Sequence, residues 1–488
     1  MNGKMIVSML GKITLLEALI MTPSLVCSII YSEWKIVLSF ATVMLLCLVV
    51  GFVLNLLGKT KDQTIFAKEG FVIVALTWII MSGLGALPFV ISGEIPSFVD
   101  AFFETASGFS TTGASILTNV EALSKGLLFW RSFTHWVGGV GVLVLVMAIL
   151  TSDSGRTIHI MRAEMPGPSV GKLLPKVRST AKILYLIYIF ISLVQVIFLL
   201  AGGMNLFESL IHMFGTAGTG GFGVKADSIG GYSPYIQWVI TIFMIIFGVN
   251  FNIYYFVLAK RFKAIFKSEE LWVYLSIVLV SSGVIAVNIF NNIKAMSGVS
   301  DSIRHAAFQV ASIISTTGYS TTDFNAWPTL SKTILLFLMF TGACAGSTAG
   351  GLKISRVIML FKSIKANLKH TLHSRSVETI KFEGKPLDKE SISGVNGYLC
   401  IYVFCMAVIL LILSFDAFDF ETNFSAMVAC FNNVGPGFSV VGPVGSYASY
   451  SDLSKVTLSI AMLLGRLEIY PMLLFFSPHI WAKKKVKL

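Results

Sequence analysis

Apolar residues in this chain run in blocks of about 20, the length a helix needs to cross a bilayer core of roughly 30 Å. Short polar or basic loops separate the blocks. Two spans come first, around 13–30 and 36–57, and form an amino-terminal hairpin over residues 1–58. After the basic loop 59–68 the chain repeats one cycle: long span, outer loop, short apolar segment, Gly-rich turn, second span. Residues 69–150 hold a span at 69–92, a short helix at 97–110, the turn Thr111–Ser115 and a span at 126–150. Residues 183–260 hold a span at 183–202, a short helix at 205–216, the turn Gly218–Gly223 and a span at 235–259. Residues 271–361 hold a span at 271–290, a short helix at 302–315, the turn Thr316–Ser320 and a long segment from 329 onward. Residues 396–480 hold a span at 397–415, a short helix at 423–431, the turn Asn433–Gly437 and a span at 453–477, before a basic tail at 481–488. The pattern predicts ten full spans and four half-helices.

The cycle is also a sequence repeat. Phe103–Gly113 and Phe308–Gly318 share the frame F-x-x-A-S-x-x-S-T-T-G, and Leu330–Gly342 matches Leu453–Gly465, both opening with L-S-K. Repeats of one supersecondary unit assemble around a shared axis. The predicted fold is therefore an all-α polytopic membrane protein. Four pseudo-symmetric helix–pore-helix–helix repeats surround a central pore, with two additional amino-terminal transmembrane helices.

A half-helix that stops within the membrane leaves backbone groups without helical partners. Such backbone is tolerated only where it is buried in protein or lines a water-filled path. The four turns place Gly113, Gly221, Gly318 and Gly435 at one shared position. Glycine there lets successive carbonyls point inward through a conformation closed to residues with a Cβ. A ring of carbonyls from Thr111, Thr112, Gly113, Thr219, Gly220, Gly221, Thr316, Thr317, Gly318, Asn433, Val434 and Gly435 would replace the water shell of a dehydrated monovalent cation. Half-helix carboxyl ends facing the axis add partial negative charge.

Charge changes the picture in one respect. The chain carries +12, which raises nucleic acid as a partner, yet 28 of the 37 Lys and Arg fall on one side of the predicted spans. They occupy the amino terminus and loops 59–68, 151–182, 260–270 and 353–389, with the tail. That asymmetry is the positive-inside pattern; it puts both termini in the cytoplasm and argues against nucleic acid. Only 13% of residues are charged, about half the usual share of a soluble domain. The six cysteines have no paired spacing and read as packing residues. Asp100, Glu104, Glu208, Asp416, Asp419 and Glu421 lie on or near the outer approaches to the half-helices, where they either concentrate cations at the mouth or stand as solvated loop acids and half-helix amino-terminal caps. There is no H-E-x-x-H and no Walker-type loop, and His135, His212, His305, His370 and His373 form no catalytic set, so the chain reads as no enzyme. An alternating-access symporter would show inverted halves; here all repeats run the same way.

Two further features point to gating. Gly342–Gly351 (G-A-C-A-G-S-T-A-G-G) interrupts the second span of the third repeat. Each Gly costs roughly 1 kcal/mol relative to Ala in a helix, so a broken second helix is expected. The competing reading is close small-residue helix packing. Lys353 and Arg356 restart the chain, on the cytoplasmic side by this reading. Arg466 falls inside a span, where a charge costs about 2.5–3.5 kcal/mol or more. Glu468, at i+2, does not face it on a helix. Arg466 either raises the pore barrier to cations or pairs with another helix.

Taken in order, S-T-T-G-A-S (110–115), T-G-G-F (219–222), S-T-T-G-Y (315–319), the run at 342–351 and G-R-L-E (465–468) resemble the Trk/Ktr/HKT superfamily of potassium transporters over essentially the whole chain. The ten-span form resembles the membrane subunits of bacterial Trk uptake systems. The resemblance implies potassium as the transported substrate, with no bound cofactor, at the filter residues named above. It implies a gate formed by Gly342, Gly346, Gly350, Gly351, Lys353 and Arg466. It further implies a homodimer in the bacterial cytoplasmic membrane and a cytosolic, TrkA-like nucleotide-binding regulatory subunit docking on loops 151–182 and 352–395. Gly at all four filter positions implies potassium preference. The alternative within the superfamily is a Ktr-like, sodium-stimulated or less selective monovalent cation transporter.

Overall fold

A computed structural model describes residues 2–60, 67–141, 177–293, 298–373 and 379–478. The predicted basic loop 151–182 up to residue 176, the end of the 126–150 span and the tail at 481–488 lie outside the described residues. Two antiparallel helices, Gly3–Ile30 and Trp34–Leu57, open the chain and pack on the first unit. The contact is aromatic: Phe40 of the hairpin meets Trp130 edge-on at 6.2 Å, and Trp130 meets Phe109 at 5.9 Å.

Four units follow. Their first spans are Ala67–Ser92, Val177–Ala201, Glu269–Asn292 and Lys389–Leu413. Their half-helices are Phe98–Phe109, Leu206–Ala217, Val299–Ile314 and Phe420–Phe431. Three of them have twelve residues, about 18 Å of helix, and the third unit's has sixteen, about 24 Å; all are too short to cross. Ser97 and Asn205 start two of them, each side chain accepting from the third amide onward. The half-helix of one unit packs on both spans of its own unit and on a neighbour's: Phe98–Phe109, for example, packs on the fourth unit's Asp452–Arg466. The carboxyl ends thus meet in the middle of the bundle.

The inner helices differ from expectation. Six described helices, the hairpin pair and the four first spans, are long and apolar enough to cross a membrane. The inner helices are interrupted instead. The expected single span over 235–259 is two helices, Pro234–Gly248 and Phe251–Leu258, bent by 89°. Asn250 caps the second piece through its side chain, which is the local reason the chain restarts there. The third inner helix stops at Thr341 and restarts at Ile354, across the Gly run. The fourth, expected unbroken over 453–477, ends at Arg466 and restarts at Tyr470, with Glu468 and Ile469 at positive φ. The first, Lys125–Val140, ends at Gly141 with φ 94°. A two-stranded hairpin, Lys381–Phe382 with Lys385–Pro386, sits in the polar loop between the third and fourth units.

Candidate functional site

All four half-helices end the same way. Thr111, Thr219, Thr316 and Asn433 have φ of 56, 57, 56 and 56°. The amide after each returns to the carbonyl five residues back: Thr112 to Ser107 at 2.9 Å, and Gly220 to Gly215, Thr317 to Ser312 and Val434 to Ala429 at 2.8 Å. The left-handed residue's own amide returns to the third carbonyl back, as Thr111 does to Gly108 at 3.1 Å. This is the Schellman termination, which normally places Gly at the left-handed position. Threonine there costs on the order of 1–3 kcal/mol each, so the surroundings must hold the turns. Two residues on, Gly113, Gly221, Gly318 and Gly435 have φ of 81, 75, 82 and 96°.

These glycines close a ring. A Cβ on Gly113 would lie 1.9 Å from the carbonyl oxygen of Gly220, and one on Gly221 would lie 2.0 Å from that of Thr317. On Gly318 it would lie 2.3 Å from the Val434 oxygen, and on Gly435 2.6 Å from the Thr112 oxygen. Each turn therefore abuts the next in the order one, two, three, four, one. Two side chains and one backbone bond tie the seams: Asn433 Nδ2 donates to Thr112 Oγ1 at 2.9 Å, Tyr319 Oη to the Phe222 carbonyl at 3.0 Å, and the Tyr447 backbone amide to the Ser115 carbonyl at 2.9 Å. His135 stands behind the second turn, its Nδ1 2.7 Å from the Gly108 carbonyl and its ring 4.2 Å from Phe222. Thr111, Thr112, Thr219, Thr316, Thr317, Asn433 and Val434 are fully buried.

Outside the ring lies a cavity of about 280 Å³, lined by the four glycines and by Arg131, Lys225, Ser320 and Tyr447. The outer acids do not face it as a free anionic field. Glu104 is 1% exposed, pairs with Arg131 Nε at 2.5 Å and accepts the Ile116 amide at 3.0 Å. Asp100 pairs with Lys455 at 2.6 Å and Glu421 with Lys332 at 3.2 Å. Glu208 accepts from Tyr232 Oη at 2.9 Å, and Asp419 from Thr422. Asp416 is pushed up by partial burial, but hydrogen bonds from Ser454 and Ser451 outweigh this and hold its carboxyl below the usual range. Pairing and hydrogen bonding hold these acids; none caps a half-helix through its side chain, since Ser97 and Asn205 cap the first two and Asp419, at the start of the fourth, accepts no cap amide. Arg131 escaped the sequence reading altogether: its guanidinium lies 3.4 Å over the Phe222 ring and reaches the Gly223 carbonyl at 3.4 Å. It thereby clasps the first half-helix to the second turn. The only sequence signal was one basic residue in an otherwise apolar stretch.

Inside the ring lies the Gly-rich run. It is an irregular loop, not a packed helix: Gly342, Gly346 and Gly351 have φ of 63, 71 and 75°. The Gly350 amide donates to Thr316 Oγ1 at 2.7 Å, so the loop touches the ring from below. Backbone bonds anchor it to the break in the second unit, from the Cys344 amide to the Gly248 carbonyl at 3.1 Å and from the Phe251 amide to the Gly346 carbonyl at 3.0 Å. Arg466 closes it from the fourth unit. Its Nη1 donates to the Thr348 carbonyl at 2.6 Å, and its Nη2 to the Gly138 and Gly139 carbonyls at 2.5 and 2.6 Å. The space between Ala349–Gly351, Gly465 and Arg466 is about 10 Å³, about what one water needs.

One expectation about this layer changes. Lys353 and Arg356 are not on an aqueous cytoplasmic face: they are 2% and 7% exposed. Lys353 Nζ donates to the Ala349 carbonyl, and Arg356 forms a two-pronged pair with Glu468. The loop folds back into the bundle, which carries its carboxyl end inward with it. Glu270 is the second residue missed. One oxygen, Oε1, accepts both the Ala345 amide at 2.7 Å and the Ser355 amide at 3.1 Å, bracketing the loop. In sequence it is one of two glutamates at a helix start, indistinguishable from a charge placed for the helix dipole. Among the described residues no group of three or more His, Cys, Asp or Glu gathers as a metal site. The oxygens converging at the ring are backbone carbonyls.

The family model described as TrkH, a cation transport protein, matches residues 37–483. The Trk system potassium uptake protein TrkH of Salmonella typhimurium is 34% identical over 451 residues, 91% of this chain and 92% of that protein. TrkG of Escherichia coli, also named for Trk system potassium uptake, is 32% identical over 483 residues, 98% of each chain. The crystal structure of the potassium transporter TrkH from Vibrio parahaemolyticus matches with a TM-score of 0.88 and 31% identity, over 99% of this chain and 100% of that one.

Proposed function

The chain belongs to the TrkH family of cation transport proteins, and on that premise we propose that it carries potassium into the cell through the ring of four turns. The observation that carries this reading is the closed circuit of glycine-to-carbonyl contacts, Gly113 to Gly220, Gly221 to Thr317, Gly318 to Val434 and Gly435 to Thr112. Carbonyls packed this closely in a buried ring supply oxygen ligands to a dehydrated monovalent cation and need no carboxylate. The filter residues are then Thr111–Gly113, Thr219–Gly221, Thr316–Gly318 and Asn433–Gly435.

In this reading the loop Gly342–Gly351 is the gate. It sits against Thr316 and is fastened by Arg466 and Glu270. Conduction requires it to leave the axis, which breaks the three Arg466 bonds and moves Lys353. The force comes from a cytosolic nucleotide-binding subunit on the basic loops, in a homodimer of pores in the bacterial cytoplasmic membrane with both termini inside. The units run from residues 69, 183, 271 and 396 behind the hairpin 1–58. The test is potassium rescue: expression in cells lacking potassium uptake should restore growth at low potassium, and the purified chain in liposomes should carry rubidium without any organic solute. No growth with or without a cytosolic partner, together with no rubidium flux, would overturn the proposal.

A further inference from the structure

The 89° bend in the second unit leaves a groove on its outer flank. Between the first span Val177–Ala201 and the helix Pro234–Gly248 there is a cavity of about 560 Å³, walled by Phe190, Phe198, Trp238, Ile242 and Tyr254. A second cavity, about 470 Å³, continues it between the same span and Phe251–Leu258, walled by Ile183, Leu186, Ile187, Val257 and Leu258. Phe190, Ile191 and Tyr254 line both, so the two form one apolar channel along the span. Tyr254 satisfies its hydroxyl internally, donating to the Ile246 carbonyl at 2.6 Å across the bend, and presents its ring to the groove. The bend it braces is the one whose Gly248 carbonyl holds the Cys344 amide.

The inner end of the groove is cationic. Lys182 precedes Ile183, and Lys260 and Arg261 follow Leu258 closely; Lys263 and Lys267 come next. All five are exposed, and none has an acidic partner among the described residues. Exposed Phe262 and Phe266 alternate with them, and Trp272 stacks on Phe266 at 6.4 Å and donates its indole N–H to the Phe266 carbonyl at 3.0 Å. Aromatic rings interleaved with basic side chains at a span end mark the membrane–water interface.

We propose that this groove binds an anionic phospholipid, its acyl chain along Ile183, Leu186, Phe190 and Tyr254 and its headgroup phosphate on Lys182, Lys260 and Arg261. A cationic pocket between helices on the cytoplasmic side suits an anionic headgroup. A second copy of this chain is the poorer occupant, because a two-fold axis along the membrane normal would bring two such cationic rims to one level.

The test is native mass spectrometry of the full chain, offered phosphatidylglycerol and phosphatidylcholine with matched acyl chains. The wild-type chain should retain phosphatidylglycerol about tenfold or more over phosphatidylcholine, since each basic residue near an anionic headgroup contributes about fivefold. The triple variant Lys182→Gln, Lys260→Gln, Arg261→Gln should lose that preference, whereas Lys182→Arg, Lys260→Arg, Arg261→Lys should keep it and so control for folding. Val257→Trp, which plugs the inner cavity with the charges intact, should reduce retention of both lipids. Equal retention of the two lipids by the wild type, or an undiminished preference in the triple Gln variant, overturns the assignment. So does efficient crosslinking of two chains through Leu186→Cys in nanodiscs, which would show a second copy covering the groove.

Discussion

The four turns of the ring share one backbone termination, with φ at the left-handed residues spanning a single degree, while the inner helices beneath them end or break in ways that have nothing in common. The first inner helix ends at Gly141, where the described residues of that stretch stop; of the others, one is broken by an 89° bend at Val249–Asn250, one by the loop Gly342–Lys353, and one by a two-residue kink at Glu468–Ile469. Both layers descend from the same repeat. The turns cannot diverge because each must fit the carbonyl of the next; a change in one is a clash in its neighbour. The breaks are each satisfied by different partners, Asn250's side chain in one case and Arg466 in another, and so were free to differ. Uniformity is thus imposed by ring closure, and asymmetry is available for gating.

The comparison is broken most directly at the glycines. Ala in place of Gly113 should reduce rubidium uptake to background in a chain that still elutes as a folded protein, because both the positive φ and the 1.9 Å approach forbid a Cβ. The Cβ-to-carbonyl distances order a series: Gly113 and Gly221 most sensitive at 1.9 and 2.0 Å, Gly318 next at 2.3 Å, and Gly435 least at 2.6 Å, which is still a clash. Equal tolerance at all four would show that the ring does not set the spacing.

In the lower layer Arg466→Ala should raise flux severalfold without a cytosolic partner, while Arg466→Lys, which can satisfy fewer of the three carbonyls, should fall between. Unchanged flux in a well-folded Ala variant would remove Arg466 from the gate. Glu270→Ala should act in the same direction with a smaller rise. It deletes two amide bonds to a carboxylate, each worth about 1.5–3 kcal/mol, and should speed hydrogen exchange around 343–355. Protection equal to wild type there would show that the loop is held elsewhere.

The smallest effect concerns the seams. The L-S-K lysine of unit three pairs with Glu421 of unit four, and that of unit four with Asp100 of unit one. Lys125 of unit one instead lies 5.1 Å over Phe207 of unit two. Lys455→Gln should lower the melting temperature by a few degrees and Lys332→Gln by less, since exposed pairs are worth about 0.2–1 kcal/mol. The reverse order would mean that burial of the Asp100 pair is not what strengthens it.

The L-S-K repeat shows what kind of thing was readable in advance. Its recurrence was visible in the residues, but its role as a seam contact was not, because its partners lie 89 and 355 positions away. The broken third helix was legible because the chain spells it in four glycines within ten residues. The breaks in the second and fourth were not, because I-I-F-G-V-N-F-N and L-G-R-L-E-I-Y are apolar enough to pass for continuous spans. There the breaks are fixed by an Asn cap and by side chains reaching to other units. Glu104 was legible as an acid on a half-helix and illegible as Arg131's partner.

What the sequence by itself determined is everything carried by local periodicity: the membrane class, the count and order of units, the half-helix ends and the glycine at each turn. Hydropathy and turn chemistry act over a few residues, so they can be read without the fold. What only the tertiary structure decided is which groups meet. The ring closes between residues about 100 or more positions apart, and Arg466 reaches carbonyls 118 and 328 positions away. A buried charge takes whatever carbonyl or carboxylate the packing brings within 3 Å, and no local pattern encodes that partner.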